Sequence, residues 1–168
     1  MNQFKSGWYL LYTKSKLEKK ISASLDAQKL TYYLPTQTIF RQWADRNKII
    51  RVPMFPSYIF IYLQNFADYF SGLNIDGVLH YVKFGNQIAR VSEGVVDQLK
   101  LISEHGRNVE VLTYEFQEKE SLTISSGPFA GMNCELVRHK NERRVLVRVE
   151  LLRRSVLMEA PCDQLIKI

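Results

Sequence analysis

The segment Val52–Leu63 constrains the fold more than any other part of the chain, because aromatic and aliphatic residues alternate in it after two prolines. Successive side chains of a strand point to opposite faces. Two sets of side chains therefore take opposite faces of one predicted strand: Tyr58, Phe60 and Tyr62 against Ile59, Ile61 and Leu63. Pro53 and Pro56 lack the amide donor of a sheet and mark the start of this strand. Either a second layer covers both faces, or the aromatic face docks a partner protein.

Strand and helix patterns alternate as β-α-β-β-β-α-β-α over the first 105 residues. The predicted elements are strands over 7–13, 31–43, 48–52, 58–63 and 78–84 and helices over 16–29, 65–71 and 92–105, with a turn at 85–86 leading into a last extended segment over 87–91. Ser15 and Glu18 have the spacing of a capping box, and Ser92 is placed to cap the last helix. This order of elements predicts an α+β sandwich, in which helices flank an antiparallel sheet.

The periodic pattern of apolar residues is lost after Gly106. Residues 106–119 have no clean period and are interpreted as a linker. Five short strands at close spacing follow, over 122–124, 133–138, 144–149, 155–159 and 165–168, and they predict a small five-stranded β-barrel. The predicted domains are therefore residues 1–105 and 120–168, joined by that linker.

The net charge of +6 is concentrated at the front of the chain. Residues 1–51 hold ten Lys and Arg against three acids, whereas residues 52–105 hold three against five and residues 106–168 hold ten against nine. Clustered Lys and Arg attract polyanions, and nucleic acid is the commonest polyanion of the cytoplasm. A solvated basic face that binds nothing is the other interpretation.

The sequence offers no candidate for an enzyme site. The histidines His80, His105 and His139 lie in three separate elements, and no nucleophile, base or metal cluster assembles from spacing. Cys134 and Cys162 lack metal-ligand spacing and are interpreted as buried thiols. No phosphate-binding glycine loop occurs, so no catalytic residue, metal or cofactor is expected. The chain also lacks a signal peptide and any apolar run long enough for a membrane span, so a cytoplasmic protein without membrane contact is expected.

Four blocks of sequence resemble the NusG-type transcription elongation factors, which carry an NGN domain followed by a KOW domain. The blocks are Trp8–Lys14, Pro53–Phe60, Gly77–Gly85, and Ser126–Gly131 continuing to Leu151–Val156. The first and third blocks are most similar to the operon-specific RfaH-like and UpxY-like antiterminators. The resemblance implies an NGN α/β sandwich over residues 1–105 and an SH3-like KOW barrel over residues 120–168.

The resemblance also implies partners. An NGN domain of this kind docks on the clamp helices of RNA polymerase and suppresses pausing and termination, acting as a monomer. Five aromatic residues match the polymerase-binding positions of the family: Phe55, Tyr58, Phe60, Tyr81 and Phe84. Four lysines match positions that meet the non-template DNA strand of the transcription bubble: Lys14, Lys16, Lys19 and Lys20. Around Tyr69–Ser71 the chain departs from the RfaH-like pattern of a polar contact to the opposite polymerase wall.

In the KOW block, four residues match the family's turn: Gly127, Pro128, Phe129 and Gly131. Their expected role is turn geometry, and Phe129 is either core or exposed. The resemblance implies that this barrel recruits a ribosomal protein or a termination factor. A different class of function stays open, an RNA- or ribosome-binding KOW module with no polymerase role, whose contacts would be the barrel's own basic residues.

Overall fold

The computed structural model describes residues 4–43, 46–113, 120–160 and 165–167. The chain divides into two compact units, Met1–Val96 and Asp97–Ile168. The described residues form three α-helices and antiparallel sheets, which confirm the predicted α+β class. Among the helices of the described ranges, none has the length and apolar character that a membrane crossing requires.

The first unit is built on one antiparallel sheet with the strand order β2-β5-β1-β6, in which β9 also pairs with β1. Its elements are β1 (Gly7–Thr13), α1 (Glu18–Ala27), β2 (Tyr32–Tyr33), β3 (Thr36–Trp43), β4 (Arg46–Pro53), β5 (Tyr58–Leu63), α2 (Phe66–Leu73), β6 (Val78–Tyr81), β7 (Lys83–Phe84), β8 (Gln87–Ile88) and β9 (Arg90–Val91). The pairs β3–β4 and β7–β8 form separate two-stranded sheets. Helix α3 (Glu93–His105) crosses the division between the units.

The core of the first unit lies where the aliphatic face of this sheet meets the apolar side of α1. Leu11 of β1 stands between Ile59 of β5 and Tyr81 of β6 in the strand register, and all three are buried. Ile21 and Leu25, four residues apart on α1, pack into the same cluster. The four-residue spacing on α1 and the alternation on β1 and β5 thus meet in one core.

Several predicted elements differ from the structure. The strand predicted over 78–84 is divided into β6 and β7, which belong to different sheets. The capping box of Ser15 and Glu18 is wrong: α1 begins at Glu18, its N-cap is Leu17, and no side chain caps it. Lys16, with φ of 67°, lies before the helix in the left-handed region. The strand predicted over 31–43 is interrupted at Pro35, which separates β2 from β3, because proline offers no amide to a central ladder. The cap of α3 is confirmed, since the Ser92 hydroxyl accepts from the Val95 amide at 3.3 Å.

The second unit contains a six-stranded antiparallel sheet with the order β10-β14-β13-β12-β11-β15. Its strands are β10 (Glu110–Leu112), β11 (Glu120–Ile124), β12 (Asn133–His139), β13 (Glu142–Val149), β14 (Arg154–Glu159) and β15 (Leu165–Lys167). The last five are the strands predicted for the barrel. β10 is additional and lies inside the segment interpreted as a linker, and the two units divide at Val96, nine residues before the predicted domain end. Cys134 is buried as predicted, whereas Cys162 lies outside the described residues.

Charged side chains attach β10 to the rest of this sheet. The Glu110 carboxylate lies 2.9 Å from Lys140 Nζ, 3.5 Å from His139 Nε2 and 3.8 Å from Arg144 Nη1. Arg144 is itself buried and donates to the carbonyl of Asn108, just before β10. The hydrogen bond from Lys140 is the main cause that lowers the pKa of the Glu110 carboxyl. A three-residue edge strand is therefore stabilised by contacts that no local pattern reveals.

The lowered pKa of Glu110 predicts a pH dependence of stability. A carboxyl with a folded pKa below its unfolded value, about 4.3 for Glu, stabilises the fold above that value. As the pH falls through the folded pKa, the Glu110 carboxyl becomes protonated in the folded state as well as in the unfolded state. Its contribution to stability is then lost. We expect the free energy of unfolding of the second unit to rise less steeply with pH in Glu110→Gln than in the wild type. This pH dependence is measured by urea titrations at several acidic pH values. The amide NMR signals of Val156 and Leu157 report the unfolding of the second unit. Identical pH dependence in both proteins would contradict the assignment.

Candidate docking surface and basic residues

Three rings form a continuous row on the face of the first sheet opposite the aliphatic core. Tyr58 of β5, Tyr12 of β1 and His80 of β6 are direct neighbours in the strand register. The ring centroids of Tyr12 lie 5.2 Å from Tyr58 and 5.1 Å from His80, with tilted planes. Tyr12 and Tyr58 are half-buried and His80 is exposed. We call this set the aromatic row; it presents rigid rings with polar edges to solvent, a composition typical of protein-binding surfaces.

Two members of this row, Tyr12 and His80, were not predicted from the sequence. In the sequence, His80 is one of three histidines in separate elements, and Tyr12 has no predicted protein-docking role. Both lie in blocks that resemble the NusG family, but their adjacency to Tyr58 depends on strand pairing between distant segments. Nδ1 of His80 lies 3.1 Å from the Tyr81 carbonyl oxygen. Since a carbonyl only accepts, Nδ1 carries the proton of this contact and Nε2 faces away from it.

Three residues predicted to bind polymerase are buried and do not contribute to the surface. Phe55 is 3% exposed, Phe60 0% and Tyr81 1%. The ring of Phe60 lies 6.1 Å from that of Phe55 and 6.3 Å from that of Tyr33, so the turn before β5 and the neighbouring strand cover it. Tyr81 points to the opposite face of the sheet. These three residues are core, and the prediction that they contact a partner is corrected.

Tyr81 belongs to the aliphatic side of the sheet, where it joins α2 to β6. Its ring stacks on Tyr69 of α2 at 4.6 Å, and its hydroxyl donates to the Tyr69 carbonyl at 3.0 Å. Burial raises the pKa of the Tyr81 phenol well above its ordinary value. Gly72 permits this contact, because a Cβ there would lie 2.4 Å from the Tyr81 hydroxyl. Tyr81 thus positions β6, on which His80 faces the other way.

Of the five predicted polymerase contacts, Tyr58 and Phe84 reach the surface. Phe84 is 84% exposed, at the end of β7 beside the turn to β8. Gly85 in that turn has φ of 61°, a conformation that glycine adopts without strain. Leu79, 47% exposed, lies at the irregular register between β1 and β6. Aromatic and aliphatic side chains are therefore accessible on the edge strand and on the short hairpin that follows it.

The start of β5 is fixed by a buried carboxylate. Glu18, the first residue of α1, is 5% exposed, and its Oε1 accepts from the Ser57 amide at 2.7 Å. The carbonyl of Ser57 in turn accepts from the Thr13 amide at 2.8 Å. Ser57 has φ of 71°, so this residue is held in the left-handed region immediately before Tyr58. Glu18 therefore positions the aromatic row instead of forming the predicted helix cap.

All four lysines predicted to bind DNA are exposed around the start of α1. They do not form one ridge along the helix, because Lys16 precedes α1 and cannot align with Lys20. Lys20 Nζ lies 3.0 Å from the Asp76 carboxylate, and Lys20 lowers the pKa of that carboxyl. Lys19 lines an open depression beside Tyr32 and Tyr33. The lysines thus surround the helix start on several sides.

The predicted KOW turn lies between β11 and β12 as a single 3-10 turn over Gly127–Phe129. Gly127 and Gly131 have φ of 77° and 80°, which explains the glycines at both positions. Phe129 is core, 8% exposed, and its ring lies 6.1 Å from that of His105. Pro128 is exposed, so the outer surface of the turn is formed by Pro128 and the two glycines.

Carboxylates neutralise part of the basic surface of the second unit. Arg148 pairs with Glu135 at 3.0 Å, and Arg144 lies 3.3 Å from Glu142. Lys140 pairs with Glu110. In the ranges that the structure describes, no three His, Cys, Asp or Glu side chains are grouped as metal ligands would be.

Comparisons with known proteins define the class to which this fold and surface belong. A family model described as NusG, transcription termination factor nusG, matches residues 6–100. This match covers more than half of the chain. The protein belongs to the NusG family.

Individual relatives are distant over most of their length. The transcription termination/antitermination protein NusG of Streptococcus pyogenes serotype M3 is 21% identical over 154 residues, which cover 85% of this chain and 86% of the relative. The protein of the same description from serotype M1 gives the same values, 21% identity with 85% and 86% coverage. A solved structure described as domain interaction in Thermotoga maritima NusG covers 98% of each chain with a TM-score of 0.53 and 19% identity. At that identity, the likeness shows the fold.

The hydrogen bond between Glu18 and Ser57 predicts a specific loss of stability. Replacing Glu18 by Ala removes the charged acceptor of the half-buried Ser57 amide, and loss of a hydrogen bond to a charged group costs about 1.5–3 kcal/mol. Both tryptophans, Trp8 and Trp43, lie in the first unit, so fluorescence during urea unfolding reports on it. Lys19→Ala is the matched control, an exposed position one residue along the same helix. Equal free energies of unfolding for the two variants would contradict the role of Glu18.

Proposed function

We propose that this protein is a transcription elongation factor that docks on the clamp helices of RNA polymerase and suppresses pausing and termination. The observation that carries the proposal is the aromatic row, in which three rings adjoin on one face of the first sheet. The strands that carry these rings lie within the residues matched by the NusG family model. The relatives named above are termination and antitermination proteins, which supports an action during elongation. Docking of a monomer on the polymerase in the cytoplasm needs neither a cofactor nor a catalytic residue.

The proposed contact surface consists of the aromatic row with Phe84 on the neighbouring hairpin. Aromatic side chains at the centre of an interface tend to dominate its binding energy. Tyr12 has the central position in the row, with a ring on each side. Tyr58 and Phe84 stay in this proposed surface, in the role that the resemblance implies for them. Leu79 adds exposed apolar area on β6.

Within this function we further propose an operon-specific role. The resemblance of the first and third sequence blocks to the RfaH-like and UpxY-like antiterminators supports it. The lysines at the start of α1 would hold the non-template DNA strand of the transcription bubble. Transcription assays on templates with and without candidate leader sequences separate the two cases: an operon-specific factor increases read-through only when its leader is present, whereas a general factor acts on both templates.

The second unit is proposed to recruit a further protein, either a ribosomal protein or a termination factor, through the exposed turn at Pro128. The alternative, an RNA- or ribosome-binding KOW module, requires a free basic surface on this unit. Ion pairs at Lys140, Arg144 and Arg148 oppose that alternative. Binding of structured RNA by the chain, together with no binding to a clamp-helix fragment, would favour the alternative.

Substitution of Tyr12 tests the docking surface. We expect Tyr12→Ala to weaken binding to a polymerase fragment that carries the clamp helices by more than about 1 kcal/mol, as for a central interface aromatic. Tyr58→Ala is expected to act in the same direction. Phe70→Ala is the control, because Phe70 is 56% exposed in the same unit but lies on α2, outside the row. Titration calorimetry measures the affinities, and circular dichroism checks folding. An unchanged affinity in folded Tyr12→Ala would exclude the row as the docking site.

The salt dependence of single-stranded DNA binding tests the lysines. Each phosphate contact contributes about 0.7 to the slope of log affinity against log salt for single strands. Replacing Lys14, Lys16 and Lys19 by Gln should therefore reduce the slope by about 2. Lys20→Gln should reduce it less than a single contact does, because Lys20 already pairs with Asp76. Fluorescence anisotropy with a labelled oligonucleotide at several salt concentrations gives the slopes. If the triple variant keeps the wild-type slope, these lysines are solvated and bind no DNA.

A further inference from the structure

An open depression lies between one face of α1 and the segment that contains β2. It has a volume of about 530 Å³, which is within the range of small-molecule sites. Its lining comes from the helix and from the β2 segment: Lys19, Ser22, Ala23 and Asp26, and Tyr32, Tyr33 and Leu34. No residue of the aromatic row is among these, so a ligand bound here is separate from the proposed polymerase contact.

Three polar side chains of α1 line the depression in a row. Lys19, Ser22 and Asp26 follow one another at spacings of three and four residues, so they lie on one face of the helix. At about 1.5 Å per residue, Lys19 and Asp26 are separated by about 10 Å along the helix axis. The row therefore offers a cation at one end, a hydroxyl in the middle and a carboxylate at the other end.

The hydroxyl in the middle of the row is buried and unpaired. Ser22 is 8% exposed, and its Oγ has no hydrogen-bond partner among the described residues. The neighbouring Tyr32 hydroxyl donates to the Asp26 carboxylate instead, at 2.8 Å. A buried hydroxyl without a partner costs free energy, and a hydrogen bond to a ligand would remove that cost. Ser22 therefore indicates that the depression receives a polar ligand.

Asp26 and Tyr32 define the chemistry of the far end. Burial, together with the Asp26 carboxylate, raises the pKa of the Tyr32 phenol, so this hydroxyl stays protonated and donates at neutral pH. Asp26 is exposed, and an ionised carboxylate only accepts hydrogen bonds, at more sites than this one contact occupies. A ligand at this end must present donors to Asp26, and a flat ligand can lie against the half-buried ring of Tyr32.

We propose that this depression binds a free guanosine 5′-phosphate. The phosphate contacts Lys19, a sugar oxygen contacts the Ser22 hydroxyl, and the base lies at Asp26 beside Tyr32. Guanine presents two adjacent donors on its pairing edge, the ring N–H and the amino group, and these match a carboxylate. Adenine and cytosine place a ring acceptor beside the amino group, and uracil places a carbonyl on each side of its one donor. The Asp26 carboxylate therefore selects guanine.

A nucleotide within a strand fits the depression less well than a free one. Sites for single strands combine a basic groove with several stacking rings. Here one cation, Lys19, and one carboxylate, Asp26, line the depression, and the carboxylate repels the phosphates that continue a strand. Because Lys19 also belongs to the lysines proposed to hold DNA, the decisive variants are those of Asp26 and Ser22.

Replacement of Asp26 by Asn is the main test, with titration calorimetry of the full chain. We expect the wild type to bind guanosine monophosphate at least about fivefold more tightly than adenosine monophosphate, as for one bidentate contact to a base. Xanthosine monophosphate carries a carbonyl in place of the guanine amino group. Asp26→Asn supplies an amide donor and should prefer the xanthine nucleotide to the guanine nucleotide at least about fivefold. A merely structural role of Asp26 predicts no such exchange.

Asp97→Asn is the matched control for this exchange. Asp97 is an exposed carboxylate on another helix, α3, and its replacement removes the same charge. This variant should keep the wild-type preference for the guanine nucleotide.

Ser22→Ala tests the hydroxyl in the middle of the row. Because the hydroxyl is buried without a partner, its removal should leave the free energy of unfolding unchanged or higher. Binding of guanosine monophosphate should nevertheless weaken at least about threefold, as for one lost hydrogen bond. Ser24→Ala is the control, since Ser24 lies on the same helix outside the depression and bonds the Lys20 carbonyl. Tryptophan fluorescence during urea unfolding without nucleotide measures the stabilities.

Several results would overturn the proposal. They are equal affinities of the folded wild type for the guanine and adenine nucleotides, no binding of guanosine monophosphate, or an unchanged preference in Asp26→Asn. A short guanine-containing DNA strand that binds through Asp26 more tightly than the mononucleotide would also overturn it. Polymerase docking is tested independently: Asp26→Asn should bind the clamp-helix fragment normally, and Tyr12→Ala should bind guanosine monophosphate normally.

Discussion

The central position of β1 in the first sheet is the constraint on which the N-terminal unit depends. β1 pairs with β5 along one edge and with β6 and β9 along the other, so its register fixes three further strands. Because strand side chains have a period of two, a slip by one residue would exchange the two faces. Leu11 would leave the core and Tyr12 would enter it. The aliphatic core on one face therefore holds the aromatic row at the surface of the other.

Most of the fold could be predicted from the sequence because its elements have strong local patterns. β1, β5 and the five barrel strands appear where alternation and turn residues place them, and α3 ends at His105 as predicted. The failures are elements that distant contacts create. β10 has no period and depends on Glu110 meeting Lys140 and Arg144 across the sheet. Glu18 has the spacing of a cap, but the Ser57 amide, 39 residues along the chain, takes its carboxylate.

The candidate site was less predictable than the fold, because exposure on a sheet depends on what covers each position. Tyr58 and Phe60 share a face by alternation, and the sequence gives no reason to separate them. In the structure, Phe55 from the preceding turn and Tyr33 from β2 lie against Phe60, while Tyr58 stands beside Tyr12 at the surface. Tyr12 and His80 join Tyr58 only through pairings of three strands. The alternation in the sequence identifies a strand that takes part in a docking surface. The pairing register of that strand with its neighbours determines which residues form the surface.

The sequence gives the number of charged residues, but it does not show which of them form ion pairs in the folded chain. The second unit has ten basic residues in its last 63 positions, but several of them meet carboxylates within the sheet. On the β3–β4 hairpin the opposite holds, since Arg41 lies opposite Lys48 in the register and no described carboxylate forms an ion pair with either. Coulomb attraction to a polyanion acts on charge that internal partners have not neutralised. The ten Lys and Arg of residues 1–51 and the ten of residues 106–168 are therefore not equivalent, because more of the second set have carboxylate partners among the described residues.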